Sequence, residues 1–345
     1  MYKKILVPLD GSEFSERTMP LAEEFALKAE AELVLAMVVP EGANPGAVGQ
    51  PLTVPMPTPL AGTVLTAPSG ERPDHSAAHQ SDHGFEPGHD RSAAMEYLND
   101  IAGQYGSRMV DISTVVAVGD PATEITEVAE RAEVDLIAIS TRGRSAMARG
   151  LLGSVADQVL RLAPVPVLIL RSGVDGIPVA SEEQFQNIVV PLDGSRFAED
   201  ALPHALTLAR DLDTRVTLVR AVKYPTYYAM EAFQSASANR FYSMGDMEED
   251  ARSYLRKIAA RLRSEGLDVD VLVKMGSPTA LIVDVFDSRP GSIIVMTTHG
   301  SGGLKRWVLG SVADGVIRAA DGLVMAIKPT RAESDAIPEA ESEAS

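Results

Sequence analysis

The sequence of 345 residues contains no cysteine. That excludes disulfides, thiolate metal sites and a cysteine nucleophile, and it fits a reducing compartment. Positive charge is scarce: 31 Lys and Arg stand against 48 Asp and Glu, a net charge of −17. Such a chain repels phosphate backbones at long range, so no nucleic-acid partner is expected. Long hydrophobic runs are missing as well. No apolar stretch approaches the roughly 18 residues of a membrane helix. The opening MYKKILVPLDG holds too short an apolar run for a signal-peptide core. A soluble, cytoplasmic protein without a membrane partner is expected. Two catalytic signatures are also absent: no G-x-x-x-x-G-K-[ST] loop supplies a phosphate-cradling lysine, and no G-x-S-x-G elbow presents a serine nucleophile.

What is present can build cores. The hydrophobic fraction is 45%, near the globular norm, and the length suggests two domains of roughly 150 residues. The chain is in fact written twice. VPLDGS occupies Val7–Ser12 and recurs at Val190–Ser195, an offset of 183 residues. LGSVAD occupies Leu152–Asp157 and recurs at Leu309–Asp314, an offset of 157, and VGDP (Val118–Pro121) answers MGSP (Met275–Pro278) at the same spacing. Two identical hexamers in one order mean domain duplication, not a solenoid of short repeats.

The fall in offset from 183 to 157 places 26 extra residues in the first half. They lie in a Pro-, Gly-, Ser- and His-rich stretch over about 40–91, expected to be a long loop or disordered excursion. The expected division is a first domain over 1–171, a linker over 172–186, a second domain over 187–329 and an acidic tail over 330–345.

Within each half, continuously apolar runs such as ILVPL, LIAIS and VPVLIL alternate with helical patterns. Such runs suit parallel strands covered by helices on both faces. The first half predicts strands at Lys3–Leu9, Glu32–Val39, Val110–Val118, Val134–Ser140 and Val165–Leu170. Helices are predicted at Glu13–Ala29, Arg91–Tyr105, Ala122–Arg131 and Ser154–Leu162, and the second half repeats the order. Pro20 and Pro203 fall at matching places in the first helix, predicting a recurrent kink. The fold class is α/β, with two tandem doubly wound domains of five parallel strands each.

In such sheets ligands sit beyond the C-terminal strand ends. The first strand ends in Asp10-Gly11-Ser12, or Asp193-Gly194-Ser195, where the carboxylate can accept from a ligand and the serine can cap the next helix. A plain strand-to-helix turn uses the same residues. The fourth strand ends in Ser140-Thr-Arg-Gly143 and runs nine residues to Gly153-Ser154; the second half has Thr297-Thr-His-Gly300, nine residues, then Gly310-Ser311. Glycine lets backbone N–H groups approach an anion closely, and the helix opening at Gly153-Ser154 offers unpaired N–H groups and a positive dipole end. One copy reads equally well as a capped glycine loop. Two copies at identical spacing, each with its Asp-Gly-Ser turn, favour phosphate binding.

These loops resemble those of the universal stress proteins, once per half and over nearly the whole chain. Nucleotide-binding members of that family show G-x-x-G-x9-G-[ST] after the fourth strand and an Asp after the first. The resemblance implies an adenine-nucleotide alpha-hydrolase-like fold of strand order 3-2-1-4-5. It implies ATP or a related adenine nucleotide, with Mg as an accompanying ion. Asp10 and Asp193 would lie beside ribose and adenine, and Val38 and Ala221 would flank the base. Gly143, Gly153 and Ser154, and likewise Gly300, Gly310 and Ser311, would hold the phosphates. Pro8, Gly119, Thr141 and Val155 complete the implied first site; Pro191, Gly276, Thr298 and Val312 complete the second. The family also pairs fifth strands in dimers. Here Val165–Leu170 against Leu323–Lys328 would do so internally, with a homodimer left open. One departure stands out: the first motif glycine is Ser140 in one half and Thr297 in the other. A side chain there would either crowd the phosphates or add a hydrogen bond.

Arg142, Arg144 and Arg149 neighbour the first loop, and His299, Lys305 and Arg306 the second. They can neutralise phosphate or serve as solvated charge, but rapid phosphoryl transfer needs more than cations. A non-enzymatic, stress-response signalling module is expected, with slow ATP hydrolysis at most. The alternative is a nucleotide-free interaction or chaperone-like scaffold. His75, His79 and His83 share a spacing of four, which can chelate a transition metal on a helix. Their Pro- and Gly-rich surroundings favour a flexible linker instead. His204 is expected to be a packing or surface residue of its helix, Tyr224, Tyr227 and Tyr228 to form a partly buried loop anchor rather than to cover an adenine or a partner groove, and Trp307 to lie in the second phosphate excursion.

Overall fold

The computed structural model describes residues 2–40, 53–54, 91–106, 110–141, 152–171, 185–224, 244–298 and 309–329. In the first half the strands are β1 (Lys4–Pro8), β2 (Glu32–Val39), a two-residue β3 (Thr53–Val54), β4 (Ile112–Val118), β5 (Leu136–Ser140) and β6 (Val167–Leu170). The helices are α1 (Glu13–Glu16), α2 (Thr18–Ala29), α3 (Arg91–Tyr105), α4 (Pro121–Arg131) and α5 (Ser154–Leu162). The second half has β7 (Asn187–Pro191), β8 (Arg215–Val222), β9 (Val269–Met275), β10 (Ser292–Thr297) and β11 (Leu323–Ile327). Its helices are α6 (Arg196–Glu199), α7 (Ala201–Asp211), α8 (Met244–Ser264), α9 (Pro278–Asp287) and α10 (Ser311–Ala319).

The eleven strands among the described residues form one sheet, in the order β3-β4-β2-β1-β5-β6-β11-β10-β7-β8-β9. Each half thus runs third, second, first, fourth, fifth, and the second half is traversed in reverse. Pairing is parallel within each half's five strands, as β1 on β2 from Lys4↔Glu32 and β7 on β8 from Asn187↔Arg215 show. It turns antiparallel where β6 meets β11, with Leu170 opposite Leu323 and Val167 opposite Ala326. The expected long loop also contributes β3, antiparallel to the edge strand β4. An edge strand offers a row of unpaired backbone groups, so even two residues gain hydrogen bonds there.

Two apolar layers sandwich the sheet, and both run without a break from one half into the other. One packs Met19, Phe25, Leu98, Leu202 and Leu255 from α2, α3, α7 and α8. The other packs Ile125, Val159, Ile282 and Val316 from α4, α5, α9 and α10. Burying one such side chain contributes about 1.5–3 kcal/mol. The halves also meet through aromatic groups. The Tyr2 hydroxyl lies 2.7 Å from His204 Nδ1 on α7, and Phe25 meets Phe185 edge-on at 6.0 Å. His204 is therefore a packing residue, and burial lowers its pKa below the usual 6.5.

The expected kink in the first helix is a full break. α1 ends at Glu16 and α6 at Glu199, four residues before Pro20 and Pro203 respectively. A proline ring clashes with the carbonyl four residues back and supplies no N–H to it, so the helix restarts one residue later. No helix among the described residues is long and apolar enough to cross a membrane.

Candidate functional site

The C-terminal strand ends of the second half frame a cleft of about 840 Å³. Pro191 and Asp193 reach it from β7, Ala221 from β8, Thr298 from the end of β10, and Gly310, Ser311 and Val312 from the start of α10. The sheet order β8-β7-β10 lays these ends side by side, so residues more than a hundred positions apart share one wall. Gly276, the remaining described candidate in this half, directly follows β9 and donates its N–H to Val222 O at 2.9 Å. It is not among the residues lining the cleft.

Backbone geometry at the matching strand ends is the same in both halves. Gly153 N–H donates to Thr141 O at 2.9 Å, and Gly310 N–H to Thr298 O at 2.8 Å. This bond returns the excursion after the fourth strand to the strand it left. Gly153 and Gly310 are the N-caps of α5 and α10, and neither helix has a side-chain cap. The first N–H groups of Ser154 and Val155, and of Ser311 and Val312, therefore open beside the strand ends. A Cβ on Gly153 would lie 2.9 Å from the Thr141 carbonyl oxygen, so a side chain has no room there. Gly119 follows β4 as Gly276 follows β9, donating to Val39 O at 3.0 Å. Pro8 closes β1 and Val38 lies near the end of β2.

The Asp-Gly-Ser turns differ more. In the first half Asp10 Oδ1 accepts from Ser12 N–H at 3.0 Å and from the Ser12 hydroxyl at 2.6 Å. Ser12 Oγ in turn accepts from Ser15 N–H, capping α1. In the second half Asp193 Oδ1 accepts from Ser195 N–H at 2.8 Å, while Ser195 Oγ caps α6 by accepting from Ala198 N–H. Asp10 is partly buried and Asp193 exposed. Thr297, in place of the first motif glycine, is buried and lines the cleft; Ser140, its counterpart, is partly buried.

Sequence reading missed a second ring of residues on the α6/α8 side. Tyr254 donates to Glu199 Oε1 at 2.9 Å, and Tyr97 donates to Glu16 Oε1 at 2.8 Å in the first half. Burial, then the bond to Glu199, pushes the Tyr254 phenol well above its usual range. Arg220, which lines the cleft, stacks its guanidinium 4.8 Å above the Tyr254 ring. The offsets of 183 and 157 would have paired Tyr97 with Tyr254 and Glu16 with Glu199, but nothing linear brings either tyrosine to its glutamate.

Gly143, Gly300, Arg142, Arg144, Arg149, His299, Lys305, Arg306 and Trp307 lie outside the described residues, as do His75, His79, His83, Tyr227 and Tyr228. Among the described residues no three His, Asp or Glu side chains cluster to hold a metal. Tyr224 corrects an expectation: it is 63% exposed, not a partly buried anchor.

Compared with known proteins, the family model described as the universal stress protein family matches residues 1–58, 64–171 and 184–328. A universal stress protein of Methanocaldococcus jannaschii is 28% identical over 152 residues, spanning 44% of this chain and 87% of its own. One of Mycobacterium tuberculosis is 27% identical over 214 residues, spanning 62% of this chain and 68% of its own. The crystal structure of a universal stress protein from Archaeoglobus fulgidus superposes with a TM-score of 0.62 at 22% identity, covering 94% of this chain and 98% of that one.

Proposed function

The chain belongs to the universal stress protein family, and from that premise we propose that each half binds one adenine nucleotide, ATP or a relative, across its strand ends. Occupancy would then set the signalling state of a stress-response module. The observation that carries this reading is the cleft of the second half. Asp193, Ala221, Thr298, Gly310 and Ser311 converge on it from four separate places in the chain. Its volume falls within the roughly 300–1,000 Å³ of small-molecule sites.

The division of labour follows from the chemistry of each wall. The uncapped N–H groups at the start of α10 favour the phosphates. The Asp193 carboxylate accepts from ribose hydroxyls or an exocyclic amine. The small side chain of Ala221 leaves room for a flat base. With no cluster of three metal-binding side chains among the described residues, a Mg²⁺ ion would be held chiefly by phosphate oxygens and water. The reading is of binding, not rapid turnover, because the sequence lacks a phosphate-cradling lysine loop.

The test is direct. Purified protein is denatured and its supernatant resolved by ion-exchange chromatography, and emptied protein is titrated with ATP by calorimetry. Two equivalents of ATP are expected, and Gly153→Val or Gly310→Val should each remove about one. Absence of both released nucleotide and ATP binding would overturn the reading in favour of a nucleotide-free scaffold.

A further inference from the structure

The two halves carry different chemistry at the same place on their second strands. Arg220, near the end of β8, corresponds at the offset of 183 to Met37 near the end of β2. Met37 is 1% exposed and sits in the apolar layer. Arg220 instead lines the cleft, with its guanidinium held between two surfaces. One is the Tyr254 ring at 4.8 Å. The other is the Gly194 turn, where a Cβ would meet Nη2 at 2.9 Å and Nη1 at 3.2 Å. Gly194 has φ +92°, so a side chain is excluded there for conformational reasons too. Among the described residues no carboxylate forms an ion pair with Arg220. A planar set of donors is thus fixed in the cleft wall.

Sheet order says which part of a ligand it meets. β8 and β10 flank β7, so Arg220 lies two strand spacings, roughly 10 Å, across from the phosphate-favouring start of α10. A nucleotide with its phosphates on α10 and its base laid toward β8 presents the base edge to Arg220. A guanidinium only donates hydrogen bonds. A 6-keto purine meets it with two adjacent acceptors, O6 and N7, whereas adenine offers N7 beside an amino donor.

Resting on the nucleotide reading of the cleft, we propose that Arg220 is a specificity-determining residue that lets the second half accept a 6-keto purine nucleotide, guanine or hypoxanthine in base. The first half, with Met37 at that place, favours adenine by comparison. One chain therefore reads two nucleotide pools.

Full-length protein, emptied of nucleotide, is titrated with ATP, GTP and inosine triphosphate by calorimetry, beside Arg220→Met and Arg220→Lys. In the unaltered protein one site is expected to bind GTP and inosine triphosphate. Arg220→Met installs the first half's residue and should weaken both at that site by about tenfold, with ATP changed less than about twofold. Arg220→Lys, which keeps the charge but loses the fork, should also weaken both. Thermal melts of each variant confirm that α8 still packs. ATP binding with an unmoved GTP-to-ATP ratio in Arg220→Met overturns this inference alone. So does inosine triphosphate behaving like ATP, which would assign any guanine preference to the 2-amino group. Failure of all three nucleotides to bind the unaltered protein overturns the nucleotide reading together with it.

Discussion

Set the two halves beside each other at their strand ends, and backbone and side chains diverge in how closely they match. The bond that closes the excursion is 2.9 Å in one half and 2.8 Å in the other, and the Tyr–Glu pairs differ by no more. Around this common frame the side chains differ. Asp10 holds both the amide and the hydroxyl of Ser12 and is partly buried, whereas exposed Asp193 holds the amide of Ser195. Met37 is sealed in the core while Arg220 faces the cleft. Duplication kept the backbone geometry of the strand ends and let the side chains around it drift.

The comparison can be broken most strongly in the core. Leu98 and Leu255 occupy matching positions in α3 and α8, and both are fully buried. Truncation of either to alanine should cost about 2–5 kcal/mol in urea unfolding. Equal costs mean equivalent packing; a gap above about 1 kcal/mol would show that one half's core is looser. A subtler exchange lies beside the β6–β11 seam. Gly322 stands where the first half has Val165, and Phe286 where it has Ala129. A Cβ on Gly322 would meet Phe286 Cζ at 2.6 Å, and its φ of +155° disfavours a side chain, so Gly322→Val should destabilise by about 1–3 kcal/mol through overpacking and backbone strain together. Adding Phe286→Ala restores the first half's pairing and should recover part of the loss; full additivity in the double variant would refute the coupling.

Smaller effects sharpen the contrast at the turns. Ser195→Ala removes the α6 cap and should cost about 1 kcal/mol. Ser12→Ala should cost more, because that hydroxyl also donates to Asp10 at 2.6 Å. Equal melting shifts for the two variants would contradict this. The smallest expected effect is pH-dependent. Burial holds the His204 imidazole neutral, with its pKa below the ordinary 6.5. The unfolded chain therefore takes up the proton first, and stability is lost as pH falls through about 6.5 toward the lower folded value; above it this group contributes no slope. His204→Leu installs the first half's residue, Leu21, and should flatten that part of the melting-temperature profile. An unchanged slope would exclude His204 as its source.

Much of this was legible in the residues. The hexamers at 7–12 and 190–195 announced the duplication, and the apolar runs announced the strands to within two residues. Pro20 announced a disturbance but not its size. Kink or break depends on whether the remaining turn, Glu13–Glu16, can be held by other contacts, here its Ser12 cap and the Tyr97–Glu16 bond. Tyr224 was misjudged because aromatic character is a composition signal, while its exposure depends on what packs over it. Arg220 went unnoticed because a cation near a strand end resembles ordinary solvated charge. Only β8 lying beside β7, with α8 behind both, makes it a cleft residue.

By itself, the sequence determined what local chemistry controls: two copies of one α/β unit, helix starts at Ser12, Ser195, Gly153 and Gly310, and glycines where a side chain cannot fit. Tertiary structure alone decided that the apolar layers of the two units are continuous, and that Arg220 lines a cleft while Met37, at the same strand position, is buried. The reason is physical. Periodicity and caps act over a few residues, whereas strand neighbours and cleft walls join positions far apart in the chain.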